Sequence, residues 1–321
     1  MKNLKNTIQM KLKIPVVASM LLLSSLTLQA QQSPMFTHYM YNTLVVNPAY
    51  AGSRDALTVT ALGRTQWVNF TGAPTTESFT IHAPLNHQPV GVGLAVLNDK
   101  IGPVNNTSII ADLAFKVKLN GNSKLAIGMS IGVNLLQAHL NTLQLDQQAD
   151  PSFQYNVKNR VTPNYGLGIY YARERFYAGV SCPNLIENNF FSSNPSVGTT
   201  LVAKDQRHYF FIAGAVMNIS ENLAFKPTTL IKATAGAPLQ MDLTAAFILR
   251  KRVTIGAMFR NNDALGVLLG LDVLSNLHIG YSYDWSSGIR TFTYNQGSHE
   301  LMMRYDFLSM SHKQIHSPRY F

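Results

Sequence analysis

The chain contains 321 residues, of which only 13% are charged, and its formal net charge at pH 7 is +10. A soluble domain usually has roughly 25% charged residues, whereas a mean hydropathy of +0.02 suits strands that face lipid on one side and water on the other. The lysines and arginines are scattered singly, so the positive charge does not indicate a nucleic-acid-binding surface. The single cysteine, Cys182, excludes an intramolecular disulfide and zinc sites built from cysteine pairs.

Residues 1–30 have the features of a secretory signal peptide. The stretch 14–28 is mostly apolar, and Ala30 is the small residue expected before a cleavage site. The basic region in front of it consists of Lys2, Lys5, Lys11 and Lys13. The segment is too short for a spanning helix, and no cysteine follows it as a lipoprotein anchor would need. We expect export and a mature chain that starts near Gln31, with a charge of +6 because four lysines and no acidic residue are removed.

Residues 31–57 are the least strand-like part of the mature chain and form a predicted N-terminal non-barrel segment. Turn-forming residues are concentrated in the stretch Asn47, Pro48, Ala49, Tyr50, Ala51 and Gly52. Our hypothesis is that residues 33–53 either fold into the barrel or lie across its periplasmic mouth.

Residues 58–307 are predicted to form an antiparallel transmembrane β-barrel of about 14 strands, which makes the fold class all-β. The alternation is clearest over 125–135, where every second residue is apolar and the residues between are small or polar. The fourteen strand candidates lie near 57–69, 75–84, 89–99, 106–119, 123–138, 161–173, 175–183, 206–219, 223–235, 239–250, 252–261, 264–274, 277–286 and 298–307. Beyond residue 30 the chain has no run of about 18 apolar residues, so a spanning helix is not expected. The rival fold is a soluble periplasmic sandwich, in which the apolar faces would turn inward.

The connections between these strands differ in length. Most are short and turn-like, which favours hairpins. The longer gaps at 139–160 and 184–205 are rich in Asn, Gln and Ser, and we expect them to be extracellular surface loops. Residues 308–321 form a tail beyond the last strand, either disordered or used for docking.

Glycines recur inside the predicted strands, at positions 91, 93, 128, 132, 166, 168, 179, 256 and 270. Glycine in a strand marks either a bend or the close approach of another backbone. Curvature of the barrel alone is the simpler interpretation. The alternative is that a peptide or plug lies along the inner wall.

Charged residues of the late strands share the polar face of the predicted sheet. This set contains Asp242, Arg250, Arg260, Asp272, His278, Asp284, Arg304 and Asp306. A solvated channel wall is the simpler interpretation, because exposed ion pairs contribute roughly 0–1 kcal/mol each. A ladder of ion pairs that anchors a plug or a ligand peptide is the alternative. On the first strand, Arg64 and Gln66 are expected to face the interior, and Trp67 is a candidate for the aromatic belt at the membrane interface.

Ser298, His299 and Glu300, with Asp284 nearby, invite a comparison with hydrolases. Catalysis needs a nucleophile within hydrogen-bond reach of a base, but neighbouring residues of a strand point to opposite faces, so Ser298 and His299 are expected to point apart. We therefore predict no enzymatic activity. Metal-binding spacings such as HxH and HExxH and a phosphate-binding glycine loop do not occur, so no metal or cofactor is expected.

Three parts of the chain together resemble the PorP/SprF family of outer-membrane proteins, which belongs to the type IX secretion and gliding systems of Bacteroidetes. The first part reads FTHYMYN at 36–42 and VNPAYAGS at 46–53, the second reads RTQWVNFTGAPTT at 64–76, and the third reads GYSYD at 280–284 and GSHEL at 297–301. The resemblance extends from about residue 33 to residue 307, and the combined order of the segments is specific.

The resemblance implies a non-enzymatic outer-membrane barrel that works with the type IX translocon or its periplasmic ring components. It implies binding to the C-terminal domain of a large secreted adhesin, with a role in the adhesin's export, its surface anchoring, or gliding motility. The candidates for partner binding are Arg64, Gln66, Trp67, Arg250, Arg260, Asp272, Asp284, His299, Glu300 and Arg304. The other expected contact is outer-membrane lipid, and the alternative function is a general porin-like channel for small solutes.

Overall fold

A computed structural model describes residues 33–86, 88–120, 123–143, 156–194, 198–261, 263–286 and 295–307. The predicted signal peptide at 1–30 and the predicted tail at 308–321 lie outside the described residues. Strands dominate the structure, with short 3₁₀ turns at Thr43–Val45, Pro48–Tyr50 and Leu140–Thr142.

The strands follow in chain order, and their bounds are close to those expected from the alternation. They are β1 (Leu57–Thr65), β2 (Thr75–Pro84), β3 (Val90–Ile101), β4 (Val104–Lys118), β5 (Lys124–Ala138), β6 (Val157–Arg173), β7 (Phe176–Cys182), β8 (Asn189–Asn194), β9 (Gly198–Lys204), β10 (His208–Ala215), β11 (Met217–Ser220), β12 (Leu223–Thr234), β13 (Gln240–Leu249), β14 (Val253–Arg260), β15 (Ala264–Leu274), β16 (Leu277–Ser286) and β17 (Ser298–Phe307).

The sheet closes into an antiparallel barrel, and the predicted fold class and strand number are confirmed. β1 pairs with both β2 and β17, and β10 pairs with both β7 and β12, so the order of strands returns to its start. β10 and β11 are two parts of one strand interrupted at Val216, which gives fourteen wall strands. β8 and β9 form a separate hairpin within the connection between β7 and β10. The first strand ends at Thr65 rather than near residue 69, because Trp67 and Asn69 have positive φ angles of 45° and 69° that a strand does not accept.

The apolar faces of the strands turn outward, as the barrel interpretation predicts. On β5 the side chains of Ile127, Met129 and Ile131 are 49–59% exposed, whereas Ala126 and Ser130 on the other face are buried. A soluble sandwich would bury the apolar face, so that rival interpretation is wrong. Among the described residues, no helix is both long and apolar enough to cross a membrane.

The two ends of the barrel differ in their connections. At one end, which we call the short-turn end, successive strands are joined by two to five residues. The opposite end, which we call the long-loop end, has the four long connections 66–74, 139–156, 183–207 and 287–297 beside short connections at 102–103, 235–239 and 261–263. Bacterial barrels place short turns in the periplasm and long loops outside the cell, so the long-loop end is expected to face the exterior.

Residues 33–54, which we call the plug, run through the interior of the barrel. Near its start, the carbonyl of Ser33 accepts a hydrogen bond from Lys232 at the long-loop end. At its other end, the amide of Gly52 donates to His82 close to the short-turn end, where β1 then begins. Of the described plug residues, almost all from 35 to 51 are buried, and several are 0–2% exposed. The segment therefore folds into the barrel and does not lie across its periplasmic mouth, the other predicted alternative.

Some of the strand glycines make room for the plug, so the simpler interpretation, curvature alone, is wrong for them. The nearest neighbours of the glycines at 132, 166, 256 and 270 instead lie in the wall and its connections. A Cβ atom at Gly128 on β5 would collide with the backbone of Ala49. A Cβ atom at Gly91 on β3 would collide with the carbonyl of Ala51. The plug backbone approaches the wall so closely that only a residue without a side chain fits.

Candidate functional site: the plugged lumen

The carboxylate of Glu300 on β17 holds the start of the plug. It accepts hydrogen bonds from the backbone amides of Thr37 at 2.8 Å and His38 at 2.7 Å, and from His38 Nδ1 at 2.7 Å. All three residues are 0–1% exposed. Because backbone amides are buried donors that need a partner, this carboxylate satisfies the plug at a point where it has no secondary structure of its own.

Arg64 on β1 links these Glu300 contacts, which we call the Glu300 clamp, to Asp284 on β16. Its guanidinium contacts Asp284 at 2.6 Å and Glu300 at 3.2 Å, and it donates to the hydroxyl of Thr37 at 3.0 Å. The hydroxyl of Thr37 donates in turn to Asp284 at 2.6 Å. Arg64 and Glu300 are direct cross-strand partners, although 236 residues separate them in sequence. The cation neutralises two buried carboxylates that would otherwise be costly.

A second buried ion pair lies beside the plug on the neighbouring strands. Arg260 on β14 makes a two-pronged contact with Asp242 on β13, with nitrogen–oxygen distances of 2.8–3.0 Å. Both side chains are fully buried. Arg260 also donates to the carbonyl of Phe36 in the plug at 3.5 Å, so the pair contacts the plug backbone.

A third pair fixes the plug where it enters the wall at the short-turn end. Arg54 contacts Asp306 at 2.8 and 3.1 Å, and the hydroxyl of Thr58 donates to the same carboxylate at 2.7 Å. Burial alone would lower the pKa of Arg54, but the adjacent Asp306 carboxylate raises that pKa above its ordinary value. The guanidinium therefore stays charged and paired.

Tyrosine rings fill the middle of the plug. The ring of Tyr41 lies 4.5 Å from the ammonium of Lys226, 5.1 Å from the guanidinium of Arg304 and 4.6 Å from the ring of His278. Two basic groups thus contact the electron-rich face of one aromatic ring. The hydroxyl of Tyr39 forms hydrogen bonds with threonines of the wall, and burial raises the pKa of Tyr39 above its ordinary value.

The turn-forming stretch 47–52 lies against the glycines of β6 and β7. Asn47 caps a 3₁₀ turn by accepting from the amide of Ala49 at 2.9 Å, and its side-chain nitrogen donates to the carbonyl of Ile169 at 3.1 Å. A side chain at Gly168 or Gly179 would collide with the Asn47 amide. Asn47 therefore stabilises a turn of the plug and, with the same side chain, bonds the plug to β6.

The predicted partner-binding residues separate into two groups. Arg64, Arg260, Asp284, Glu300 and Arg304 are buried around the plug. The interpretation of this face as a solvated channel wall is therefore wrong, because a segment of the same chain covers it.

The other predicted residues lie elsewhere. Arg250 follows the last residue of β13, in an exposed turn with φ of 48°, so the expectation that it shares the lumenal face is wrong. Asp272 pairs with His278 at 2.8 Å near the short-turn end. His299 lies on the outer face, where it is hydrogen-bonded to Tyr281 at 2.8 Å.

Gln66 and Trp67 belong to the connection after β1, not to the strand itself. Gln66 donates from its backbone to Pro74, and the amide of Trp67 donates to the hydroxyl of Ser298 at 3.3 Å. Ser298 is buried toward the interior while His299 faces outward. The two residues point apart and do not form a nucleophile–base pair. Within the part of the chain that the structure describes, no group of three His, Cys, Asp or Glu residues is arranged to hold a metal ion.

Sequence reasoning missed the plug side of this site. Thr37, His38 and Tyr41 contact the wall charges directly. They are polar or aromatic residues in a stretch with neither strand nor helix periodicity. The signal that could have identified them is the coincidence of that stretch with the strand glycines, since a row of residues without side chains needs something to cover it.

These features define a class of protein: a closed antiparallel barrel with a lipid-facing apolar exterior and a lumen filled by its own N-terminal segment. The family model described as "Type IX secretion system membrane protein PorP/SprF" matches residues 28–305. The chain belongs to this family, and it is an outer-membrane protein of the type IX secretion system. The family is one of membrane proteins of a secretion system and not a class of enzymes. Among curated proteins there is no match.

Solved barrel structures are similar to the chain only distantly. Omp33 from Acinetobacter baumannii is 11% identical, with a TM-score of 0.43 over 78% of this chain and 98% of that chain. The CymD monoaromatic hydrocarbon channel is 9% identical, with a TM-score of 0.44 over 83% and 92%. The KdgM porin is 9% identical, with a TM-score of 0.36 over 78% and 99%. Likenesses at this level support no statement about function.

Proposed function

We propose that this barrel is a binding component of the type IX secretion system. It binds the C-terminal domain of a large secreted adhesin and helps to export that adhesin or to anchor it at the cell surface, as gliding systems require. Its further partners are the translocon or the periplasmic ring and the surrounding outer-membrane lipid. The observation behind the proposal is the plug, because a lumen occupied by the chain's own residues leaves the rims and outer wall for binding partners.

Several contacts support a plug that remains in place in the resting protein. The Glu300 clamp, the Arg260 contact to Phe36 and the Arg54–Asp306 pair hold it at both ends. Each combines a buried charge with a hydrogen bond to the plug, the stronger kind of hydrogen bond. A general porin for small solutes would need this segment to be absent or displaced.

The binding proposal is tested by purification from the native host. A tagged copy of the chain would be solubilised gently from membranes, and the co-purifying proteins identified by mass spectrometry. We expect one very large surface protein together with type IX components. An unrelated tagged outer-membrane barrel from the same host is the control. Recovery of the barrel without such proteins would contradict the proposal.

The channel alternative is tested in planar bilayers with the same preparation. We expect the full chain to show no stable open conductance. A variant that lacks residues 33–54, checked for a folded barrel by its heat-modifiable gel mobility, is the positive control for an open lumen. A stable open conductance of the full chain, equal to that of the shortened variant, would favour the porin-like function.

A further inference from the structure

A cavity of about 420 Å³ remains in the lumen at the long-loop end. Plug residues at 33–34 and 45–46 form one side of it, and strands β3–β6, β10 and both ends of the connection between β7 and β10 form the rest. Small-molecule sites in proteins have volumes of roughly 300–1,000 Å³. The cavity is therefore large enough for one ligand group of that class.

The charged residues of the lining are acidic. Two carboxylates, Asp99 and Asp205, line the cavity, and no lysine or arginine does so among the described residues. Asp99 accepts a hydrogen bond from the hydroxyl of Thr76 at 2.6 Å. One carboxylate oxygen of Asp205 is buried without a hydrogen-bond partner, and neither carboxylate forms an ion pair within the described part of the chain.

Buried amide groups add further acceptors to the same cavity. The side chain of Asn164 on β6 is buried, with a residue exposure of 5%, and its Oδ1 has no hydrogen-bond partner. The Oδ1 of Asn106 on β4 is likewise buried without a partner. Buried acceptors in native proteins are nearly always satisfied, and leaving one unpaired costs about 1–3 kcal/mol. A ligand that donates several hydrogen bonds would remove this cost.

Apolar side chains form much of the remaining lining, beside further polar ones such as Asn134, Gln206 and His208. Leu97, Ile110, Leu136 and Phe210 face the cavity beside the acceptor groups. Long basic side chains bury an aliphatic stem against such a surface while their charged end reaches polar partners. The combination of unpaired acceptors, negative charge and an apolar wall thus matches one ligand chemistry.

We propose that this cavity binds a guanidinium or ammonium group carried on an aliphatic stem. The charged end contacts Asp205 and Asn164, the stem packs on the apolar wall, and Asp99 adds negative charge on the β3 side of the cavity. The group comes either from a basic side chain of a peptide that enters at the long-loop end or from a free alkyl amine. This site is independent of the proposed adhesin binding, because binding of the cationic group depends only on the residues that line the cavity.

The test is isothermal titration calorimetry on the purified, detergent-solubilised full chain. The probes are acetyl-arginine amide and its neutral isostere acetyl-citrulline amide. We expect the arginine probe to bind at least about tenfold more tightly, as loss of charge-assisted hydrogen bonds implies. Asp205→Asn should weaken its binding by about tenfold, and Asp99→Asn, which only adds charge to the lining, by less. Glu174→Gln, which removes a carboxylate from an exposed turn at the short-turn end, should bind like the wild type.

Equal affinity for the two probes, or equal affinity of Asp205→Asn and Glu174→Gln for the arginine probe, would overturn the proposal. Agmatine distinguishes the sources, because it is a free amine: tighter binding of agmatine than of acetyl-arginine amide identifies a small amine, and the reverse identifies a peptide residue. If the Asp205→Asn variant co-purifies with as much adhesin as the wild type does, the proposed function stands whatever the titrations show.

Discussion

The substitution Glu300→Gln tests whether the clamp on the plug acts as the structure indicates. Glutamine has nearly the same shape, but one carboxylate oxygen becomes an NH₂ group that cannot accept. Each oxygen of Glu300 accepts two of the four hydrogen bonds from Thr37, His38 and Arg64, so two buried donors lose their partner. At about 1–3 kcal/mol for each unpaired group, the plug is destabilised by about 2–6 kcal/mol.

Hydrogen–deuterium exchange of the purified protein measures this destabilisation locally. A change of about 3 kcal/mol corresponds to exchange faster by roughly 10²-fold if the plug opens separately from the wall. We expect that acceleration in peptides covering residues 35–46 and none in peptides from β14 and β15. Glu174→Gln is the control and should match the wild type throughout. Unchanged protection of residues 35–46, or equal loss of protection in plug and strands, would refute the reasoning.

Three further perturbations test the wall glycines, the charge of Asp205 and the orientation of the barrel. Gly128→Ala places a Cβ atom into the plug backbone and should cost at least about 1–3 kcal/mol in thermal unfolding, whereas Gly63→Ala, which has open space around it, should leave stability nearly unchanged. Burial raises the pKa of Asp205 to about 6, so the stability that this raised pKa provides is present at pH 4 and lost as the pH rises through about 6. Asp205→Asn should therefore raise Tm by roughly 2–4 °C at pH 7.5 and not at pH 4, for a free-energy change of about 1 kcal/mol after allowance for partial exposure. An equal effect of the substitution at both pH values would contradict this. An epitope inserted before Ser33 should be reached by antibody on intact cells, since the plug starts at the long-loop end, while the same epitope in the turn 250–252 should be reached only after permeabilisation; the opposite labelling would reverse the assigned orientation.

The wall of the barrel was predictable because its pattern is local. The alternation of Ile127, Met129 and Ile131 with small or polar residues depends only on whether each side chain faces lipid or the lumen. Irregularities such as the interruption at Val216 and the early end of β1 at Trp67 arise from individual backbone angles and packing, which a period-two pattern does not contain.

The contacts of the site were not predictable to the same degree because they depend on register and on distant segments. That Arg64 meets Glu300 follows from the pairing of the first strand with the last, which closes the barrel. That Ala49 covers Gly128 follows from the path of the plug. The glycine pattern fits both curvature and a covered wall, so only the folded chain distinguishes them.

The distribution of charge between plug and wall suggests how the two can separate. The pairs Arg64–Asp284 and Arg260–Asp242 join strands of the wall to each other, while the plug contributes mainly backbone amides, carbonyls and aromatic rings to them. If residues 33–53 leave the lumen while Arg54 stays beside Asp306, these wall charges keep their partners and gain water. No unpaired charge is then left buried, which would otherwise cost several kcal/mol. The wall should therefore remain folded without the plug. The exchange experiment on Glu300→Gln follows directly from this, because only a wall that is stable on its own allows residues 35–46 to open while β14 and β15 stay protected.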